Sequence, residues 1–321
     1  MREMIDITAA CALLREWDDV LILTHQKPDG DALGSAFALL WALEAMGKRA
    51  RVECPDPLPE RYSFIVDGYA PTGFTPRYAL TVDVANPDLL GHLQPIWQDK
   101  LDLCIDHHAL NTMQAKYMLL VPGVPATAQL VYQIIQGLGV PVSAPIATAV
   151  FTGISTDTGC FRYASVTAQT HRIAAEMIEC GAEHALINRL MFDTRSPALM
   201  ELDKIILNTL EYHFGGLCAL MVVSREATDR LGISDAELDG ISAVPRRIQG
   251  VEIGLVLREK PGSYRVSVRT RERVDSAIFC AKFGGGGHQA AGGCTIQGDE
   301  TAVRAALLPA VQQALASAGL I

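Results

Sequence analysis

The stretch His25-Gln26-Lys27-Pro28-Asp29-Gly30-Asp31 places an imidazole and two carboxylates on a turn shaped by Pro28 and Gly30. Such a turn can aim hard oxygen donors and a nitrogen donor into one small volume. Two aspartates held that close repel and raise each other's pKa unless a cation lies between them. A lone Asp ahead of a helix reads as a cap, but His25 on the same turn favours a metal site. A second group, Asp106-His107-His108, follows the apolar strand-like run 101–105. Neighbouring residues at a strand end point different ways, so the two histidines can divide between metal and substrate. Asp83 closes the run Tyr78-Ala79-Leu80-Thr81-Val82, and Asp157 lies in Gly153-Ile154-Ser155-Thr156-Asp157-Thr158-Gly159. Either one alone would be a turn or loop residue. Their claim rests on company, since each ends an apolar element aimed at the same edge.

His25, Asp29, Asp31, Asp83, His107 and Asp157 together offer more donors than one tetrahedral zinc with an open position needs. Two divalent ions sharing a bridging carboxylate fit better. Such a pair, typically about 3.5–4 Å apart, generates hydroxide and clamps the oxygens of an in-line displacement at phosphorus. Oxygen and nitrogen ligands without thiolate suit Mn²⁺ or Mg²⁺, and the imidazoles favour Mn²⁺.

A third constellation is Gly284-Gly285-Gly286-Gly287-His288, which joins a helical pattern to a strand. Successive glycines let backbone N–H groups approach an anion, and His288 can add a charge or a hydrogen bond. On the strand pattern Tyr264-Arg265-Val266-Ser267-Val268-Arg269, alternation puts Arg265, Ser267 and Arg269 on one face. Arg269 there can fork onto a phosphate.

These residues need a scaffold, and the patterning supplies one. Apolar strand-type runs at 20–24, 49–54, 79–83 and 101–106 alternate with helical spacing at 32–46, 127–138, 145–154 and 167–180. Strands alternating with helices predict an α/β fold with a mostly parallel sheet covered on both faces. In such sheets ligands gather beyond the carboxyl ends of the strands, where His25, Asp83 and 106–108 fall. A helix over 197–213 broken by Gly215-Gly216 predicts a domain boundary, with a catalytic domain over 1–190, a helical linker over 191–215 and a smaller α/β domain over 216–321. The latter carries strands at 217–223, 251–257, 264–270 and 294–297, with helices at 275–283 and 300–318.

The chain has 321 residues, an apolar share of 49% and a formal charge of −9. Two compact cores are affordable at that size. The acidic balance argues against a broad face for long nucleic acid; a small anionic substrate can still bind where metal ions supply the charge. Eight cysteines without a Cys-x-x-Cys pair predict core thiols in a reducing cytoplasm, rather than zinc or disulfides. No run approaches the roughly 18 apolar residues of a membrane helix, so a soluble, unexported protein is expected, with no membrane partner. A homodimer is left open.

In order along the chain, His25-x-x-Pro28-Asp29-Gly30-Asp31-x-x-Gly34-Ser35, Asp83, Asp106-His107-His108-x-x-Asn111, Thr156-Asp157-Thr158-Gly159, Ser267-Val268-Arg269 and Gly285-Gly286-Gly287-His288-x-x-Ala291-Gly292 closely resemble the DHH phosphoesterase family. The likeness is to its two-domain members of nano-RNase and 3′,5′-bisphosphate-nucleotide phosphatase type, which carry a C-terminal DHH-associated domain. The resemblance implies that His25, Asp29 and Asp83 hold one manganese and Asp31, Asp83, His107 and Asp157 the other, with Asp83 bridging. It further implies that Asp106 orients His107, that His108 faces the scissile phosphate or leaving oxygen, and that Arg269, Gly286, Gly287 and His288 grip a terminal phosphate or nucleotide end. The active site is then expected in the cleft between domains.

The leading expectation is hydrolysis of very short oligoribonucleotides, dinucleotides above all, to 5′-mononucleotides, with 3′-phosphoadenosine 5′-phosphate as a further candidate substrate. Cyclic dinucleotides or their linear products are the alternative within the same chemistry. A family-related inorganic pyrophosphatase fits the second domain less well, and a processive exonuclease would bring extra nucleic-acid-binding modules. A catalytically silent nucleotide-binding regulator would have lost metal ligands, and every expected ligand is present.

Overall fold

The computed structural model describes residues 2–238 and 240–321, with the side chains of Ala236 and His288 outside the described set. The chain divides into two compact units, Met1–Thr194 and Arg195–Ile321.

The first unit runs β1 (Glu3–Met4), α1 (Ile7–Glu16), β2 (Val20–Leu23), α2 (Gly30–Ala45), β3 (Ala50–Glu53), β4 (Tyr78–Val82), α3 (Gln94–Trp97), β5 (Leu103–Asp106), β6 (Tyr117–Leu120), α4 (Thr127–Leu138), α5 (Ala144–Asp157), α6 (Ala168–Glu179) and α7 (His184–Asn188). Its six strands pair in parallel in the order β1-β6-β5-β4-β2-β3. Both sheet faces are buried, which is why the strands read as continuous apolar runs rather than alternating ones. Val20, Ile22, Leu80, Val82, Leu103 and Ile105 face a core shared with α1, α2, α4 and α5. Leu21, Leu23, Ala79 and Cys104 face the other way, under Leu90, Leu93 and Met113. From β2 the chain goes to β3 on one side and then to β4 on the other, so the strand order reverses between β2 and β4. In open α/β sheets that reversal leaves a crevice at the carboxyl ends of the two strands.

Two short strands and three helices here lacked a sequence signal. β1 is two residues long and β6 four, α1 is an apolar stretch packed on the distant α4, and α3 and α7 are short.

The second unit runs α8 (Pro197–Leu207), β7 (Glu211–His213), β8 (Cys218–Val223), α9 (Arg225–Leu231), β9 (Ile253–Lys260), β10 (Ser263–Thr270), α10 (Ser276–Ala281), β11 (Gly286–His288), β12 (Ala291–Gln297) and α11 (Glu300–Ser317). Its sheet order is β11-β12-β10-β9-β8-β7, antiparallel except for the β8–β9 pair. One face packs α10 and α11 through Phe279, Val303, Leu307, Val311 and Leu315. The other packs α8 through Leu202 and Ile206 against Met221, Val223 and Val256. The helix expected over 197–213 stops at Leu207, because the Thr209 hydroxyl bonds to the backbone of Val222 (2.9 and 3.2 Å) and residues 211–213 then pair with β8. Cys11, Cys104, Cys218, Cys280 and Cys294 are buried. No helix among the described residues is long and apolar enough to cross a membrane.

Candidate metal centre

The β2–α2 turn is built to present its acids. Lys27 adopts a left-handed conformation (φ 52°), with its amide held by Asp56 at 2.8 Å, and Pro28 then leads into Asp29, the N-cap of α2. One oxygen of Asp29 accepts from the amides of Asp31 and Ala32, both at 3.0 Å. The same oxygen lies 3.7 Å from His25 Nε2, so the cap itself holds the carboxylate beside the imidazole.

Asp31 lies two residues further on, in the first turn of α2, and is 1% exposed. Its oxygens accept from the Thr127 amide at 2.6 Å and the Ala128 amide at 2.8 Å. Those amides open α4, whose N-cap residue, Ala126, has no side chain able to cap it. An acid from the β2–α2 turn thus satisfies a helix terminus that starts nearly a hundred residues later, where the helix dipole also favours it. Thr127 does a second job, donating its hydroxyl to Asp83 at 2.9 Å.

Asp83 follows β4, is 3% exposed and has φ 60°, a conformation that Asp and Asn tolerate far better than other side chains. From that kink it faces both histidine groups. His25 Nε2 lies 3.7 Å from Asp29 and 3.8 Å from Asp83. His107 Nε2 lies 3.9 Å from Asp31, 3.7 Å from Asp83 and 3.5 Å from Asp157. These separations are too long for good hydrogen bonds but suit donors sharing an ion, since two ligands about 2.1 Å from one ion are at most about 4.2 Å apart. Both imidazoles are turned for it. His25 Nδ1 is tied to the Gln26 carbonyl (2.8 Å) and His107 Nδ1 to the Val124 carbonyl (2.9 Å), which leaves each Nε2 lone pair facing the acids. Three groups of donor atoms could each hold a cation: His25, Asp29 and Asp83; Asp31, His107 and Asp157; and Asp83, His107 and His108. All six residues expected from the sequence are brought together at the β2/β4 crevice.

The electrostatics fit a cation. Burial, and then the carboxylates of Asp83, Asp157 and Asp29, hold the Asp31 carboxyl well above its usual range. Burial pushes Asp157 up to about 7, against the opposing pull of His107 and His108 and with Asp83 and Asp29 adding to the rise. Burial opposes a charge on His25, yet the adjoining Asp29 and Asp83 raise it to about 11. Asp31, Asp157 and His25 thus favour protons that divalent ions can replace.

One expected role changes. Asp106 was expected to orient His107, but its carboxylate accepts from His108 Nδ1 at 2.8 Å and from the Asn111 side chain at 2.6 Å. His107 takes the Val124 carbonyl instead, its ring edge to face with His108, centroids 4.7 Å apart and planes at 66°. The Asp106 hydrogen bond outweighs burial and pushes His108 up to about 9. Asp106 itself is held below its usual range, because His108 and Asn111 outweigh its burial. Thr127, Ala128 and Val124 had no sequence signal as supporting residues, since all three act through backbone atoms, Thr127 with its hydroxyl as well.

In the second unit, Arg269 is half-buried on β10, and its guanidinium donates to the Val268 carbonyl at 3.0 Å. The glycine run is a strand rather than an open loop, as Gly286–His288 pairs with Ala291–Gly293 in a tight hairpin. Packing explains part of it: a Cβ on Gly285 would lie 2.2 Å from the Gly293 carbonyl, and one on Gly287 2.4 Å from the Ala291 carbonyl. Gly286 faces open space. The side chain of His288 lies outside the described residues.

Comparison with known proteins agrees with this picture. Residues 19–154 match the DHH family, N-terminal domain. Over 311 residues the chain is 35% identical to the bifunctional oligoribonuclease and PAP phosphatase NrnA of Thermus thermophilus, covering 94% of this chain and 92% of that one. An exopolyphosphatase-related protein from Bacteroides fragilis shares the fold with a TM-score of 0.85 at 22% identity, covering 97% and 96% of the two chains. RecJ from Thermus thermophilus in complex with Mn²⁺ gives a TM-score of 0.56 at 14% identity, covering 98% of this chain and 55% of that one. Fold and site define the class, an α/β phosphoesterase built on clustered carboxylates and imidazoles. Within that class, the chain belongs to the DHH family.

The pKa shifts carry an expected pH dependence. Asp31 and Asp157 titrate higher folded than unfolded, so their stabilisation is complete below about pH 4 and is lost as the pH rises through the folded values, about 7 for Asp157. His25 and His108, also raised, add stability that is complete below about pH 6.5 and lost toward about 11 and about 9. The lowered Asp29 and Asp106 have contributed fully once the pH exceeds about 4. Chelated protein should therefore melt at lower temperature as the pH rises from about 5 to about 9, and the increase in Tm caused by Mn²⁺ should grow. Scanning calorimetry with Mn²⁺ or with chelator reads this directly; a Mn²⁺ shift that shrinks with rising pH contradicts it.

Proposed function

We propose that this protein is a Mn²⁺-dependent phosphoesterase that hydrolyses very short oligoribonucleotides, dinucleotides above all, to 5′-mononucleotides, and also 3′-phosphoadenosine 5′-phosphate to AMP. The observation that carries it is the pair of donor groups meeting at Asp83. The name of the Thermus thermophilus relative, similar over nearly the whole chain, supports the substrate class. The formal charge of −9 favours short substrates over long strands.

In this reading His25, Asp29 and Asp83 hold one ion, and Asp31, Asp83, His107 and Asp157 the other. Imidazole donors favour Mn²⁺ over Mg²⁺. When bound, the ions supply an activated water and the positive charge that offsets charge developing on the phosphoryl oxygens. The chain's own residues do the rest. The Thr127 and Ala128 amides fix Asp31, and the Thr127 hydroxyl fixes Asp83, so the acids need not reorganise during the reaction. Asp106 and Asn111 hold the His108 ring, leaving its Nε2–H to donate to a phosphoryl or leaving oxygen. The Asp106 hydrogen bond holds His108 at about 9, and a cation bound beside it would lower that value and ease proton donation. Recognition of the nucleotide's phosphate end is assigned to Arg269, Gly286, Gly287 and His288.

A turnover panel with Mn²⁺ tests the reading: a diribonucleotide, a longer RNA, 3′-phosphoadenosine 5′-phosphate, a cyclic dinucleotide and pyrophosphate. Fastest turnover per enzyme on the diribonucleotide is expected. An intact diribonucleotide beside degraded long RNA or pyrophosphate rejects it.

A further inference from the structure

Beyond Asp157 the chain makes a turn that the metal centre does not require. Gly159, Cys160 and Phe161 are successively left-handed, with φ 58°, 61° and 60°. Two of the three are L residues that ordinarily avoid that region, and such departures gather where a site constrains the backbone. The turn is tied down on every side. Cys160 N donates to Ser155 O at 2.7 Å, Phe161 N to the Thr158 hydroxyl at 3.0 Å, and Arg162 N and Tyr163 N both to Thr158 O at 3.0 and 3.2 Å. The Arg162 side chain also donates back to the Gly159 carbonyl.

Its effect is to send one ring inward and the next outward. Phe161 packs against Phe151 and stacks on His171, with ring centroids 5.8 and 5.4 Å apart. Tyr163 instead folds back over Gly159. A Cβ at 159 would stand 2.5–2.8 Å from the Tyr163 ring and hydroxyl, so only glycine leaves the ring its place. Tyr163 nevertheless stays 51% exposed. The ring therefore rests on a bare peptide, open to solvent away from it. The residue beneath it is two positions, at most about 7 Å of chain, from Asp157, whose carboxylate is 3.5 Å from His107 Nε2.

We propose that Tyr163 is a stacking platform for a nucleobase of the substrate, next to the scissile phosphate. A rigid aromatic face accepts any base, because every base has a π-face. It would give a phosphoester site a preference for nucleotides over bare phosphates without imposing sequence. This deepens the nucleotide reading given above and rests on it.

Steady-state kinetics with Mn²⁺ on a diribonucleotide and on the same sugar-phosphate lacking both bases test it, in wild type, Tyr163→Ala and Tyr163→Phe. Tyr163→Ala should raise KM for the diribonucleotide about tenfold, with kcat within about twofold. Tyr163→Phe should behave as wild type, and KM for the base-free substrate should be equal in all three. The Mn²⁺-induced increase in Tm should also be the same. An unchanged KM in Tyr163→Ala, an equal rise on the base-free substrate, a Phe variant as impaired as Ala, or loss of the Mn²⁺ shift each overturns the stacking role. With wild type cleaving the diribonucleotide, those results leave the nucleotide reading standing. A wild type that leaves the diribonucleotide intact while cleaving pyrophosphate overturns both.

Discussion

Replacing Asp83 with Asn is expected to lower kcat/KM on a diribonucleotide by about a thousandfold, as several kcal/mol of charge stabilisation is withdrawn. Asn is the informative substitution because Asp83 sits at φ 60°. Asn tolerates that conformation, whereas Ala would add left-handed strain to the loss of charge. Asn also keeps an oxygen for the Thr127 hydroxyl now 2.9 Å from Asp83, so the start of α4 is preserved. The protein should fold as before, because the substitution removes a buried negative charge that raises the Asp31 pKa. What should disappear is the response to metal. A ligand bound to the folded state alone at a hundred times its Kd adds about 2.7 kcal/mol of stability, and Asp83 lies within 4 Å of both imidazole nitrogens that face the centre. Titration calorimetry with Mn²⁺ and melting curves at matched metal concentrations measure this. An Asn variant that keeps both the Mn²⁺ shift and near-wild-type turnover would show that Asp83 does not link two ions.

The candidate donor set was legible in the sequence because its members sit where apolar strands and helices begin or end, although Asp29 and Asp31 also cap helices. His25, Asp83 and His107 follow three apolar runs, and parallel runs deliver their ends to one edge. What could not be read is the support. Thr127 and Ala128 hold Asp31 through backbone amides, which every residue possesses, and the pairing spans nearly the whole first sheet. Whether Asp106 serves His107 or His108 depends on ring directions at a strand end, which spacing leaves undetermined. The glycine run carries a second demand. Its composition fits a phosphate cradle, and Gly285 and Gly287 are in addition required by contact with the neighbouring strand, whereas Gly284 and Gly286 meet no such contact. Glycine permits close approach, and composition does not say whether a ligand or another strand approaches.

Gly153 carries the second large expectation, because it places packing and chemistry on one atom. α2 and α5 are apolar around most of their circumference and cross in close contact. At the crossing a Cβ on Gly34 would stand 2.4 Å from the Ala149 carbonyl and 2.8 Å from the Gly153 amide. On Gly153 itself a Cβ would stand 2.4 Å from the Ala128 Cβ and 2.9 Å from Asp31 Oδ1. Helix propensity alone would make Gly153→Ala stabilising by about 1 kcal/mol. Carbon atoms prefer about 3.5–4.0 Å, and the neighbours are two buried helices rather than a flexible side-chain tip, so the overpacking cost, about 1–3 kcal/mol or more, wins. The first unit should melt about 5 °C lower in chelator. The methyl group also wedges between Asp31 and the amide of Ala128 that holds it. A displacement near 1 Å at such a point costs about a hundredfold in rate, so Gly153→Ala should lose turnover out of proportion to its stability and show a weakened Mn²⁺ shift. A variant that is more stable than wild type and fully active would mean that α5 gives way without moving Asp31, and that the helix crossing does not set the position of the acid.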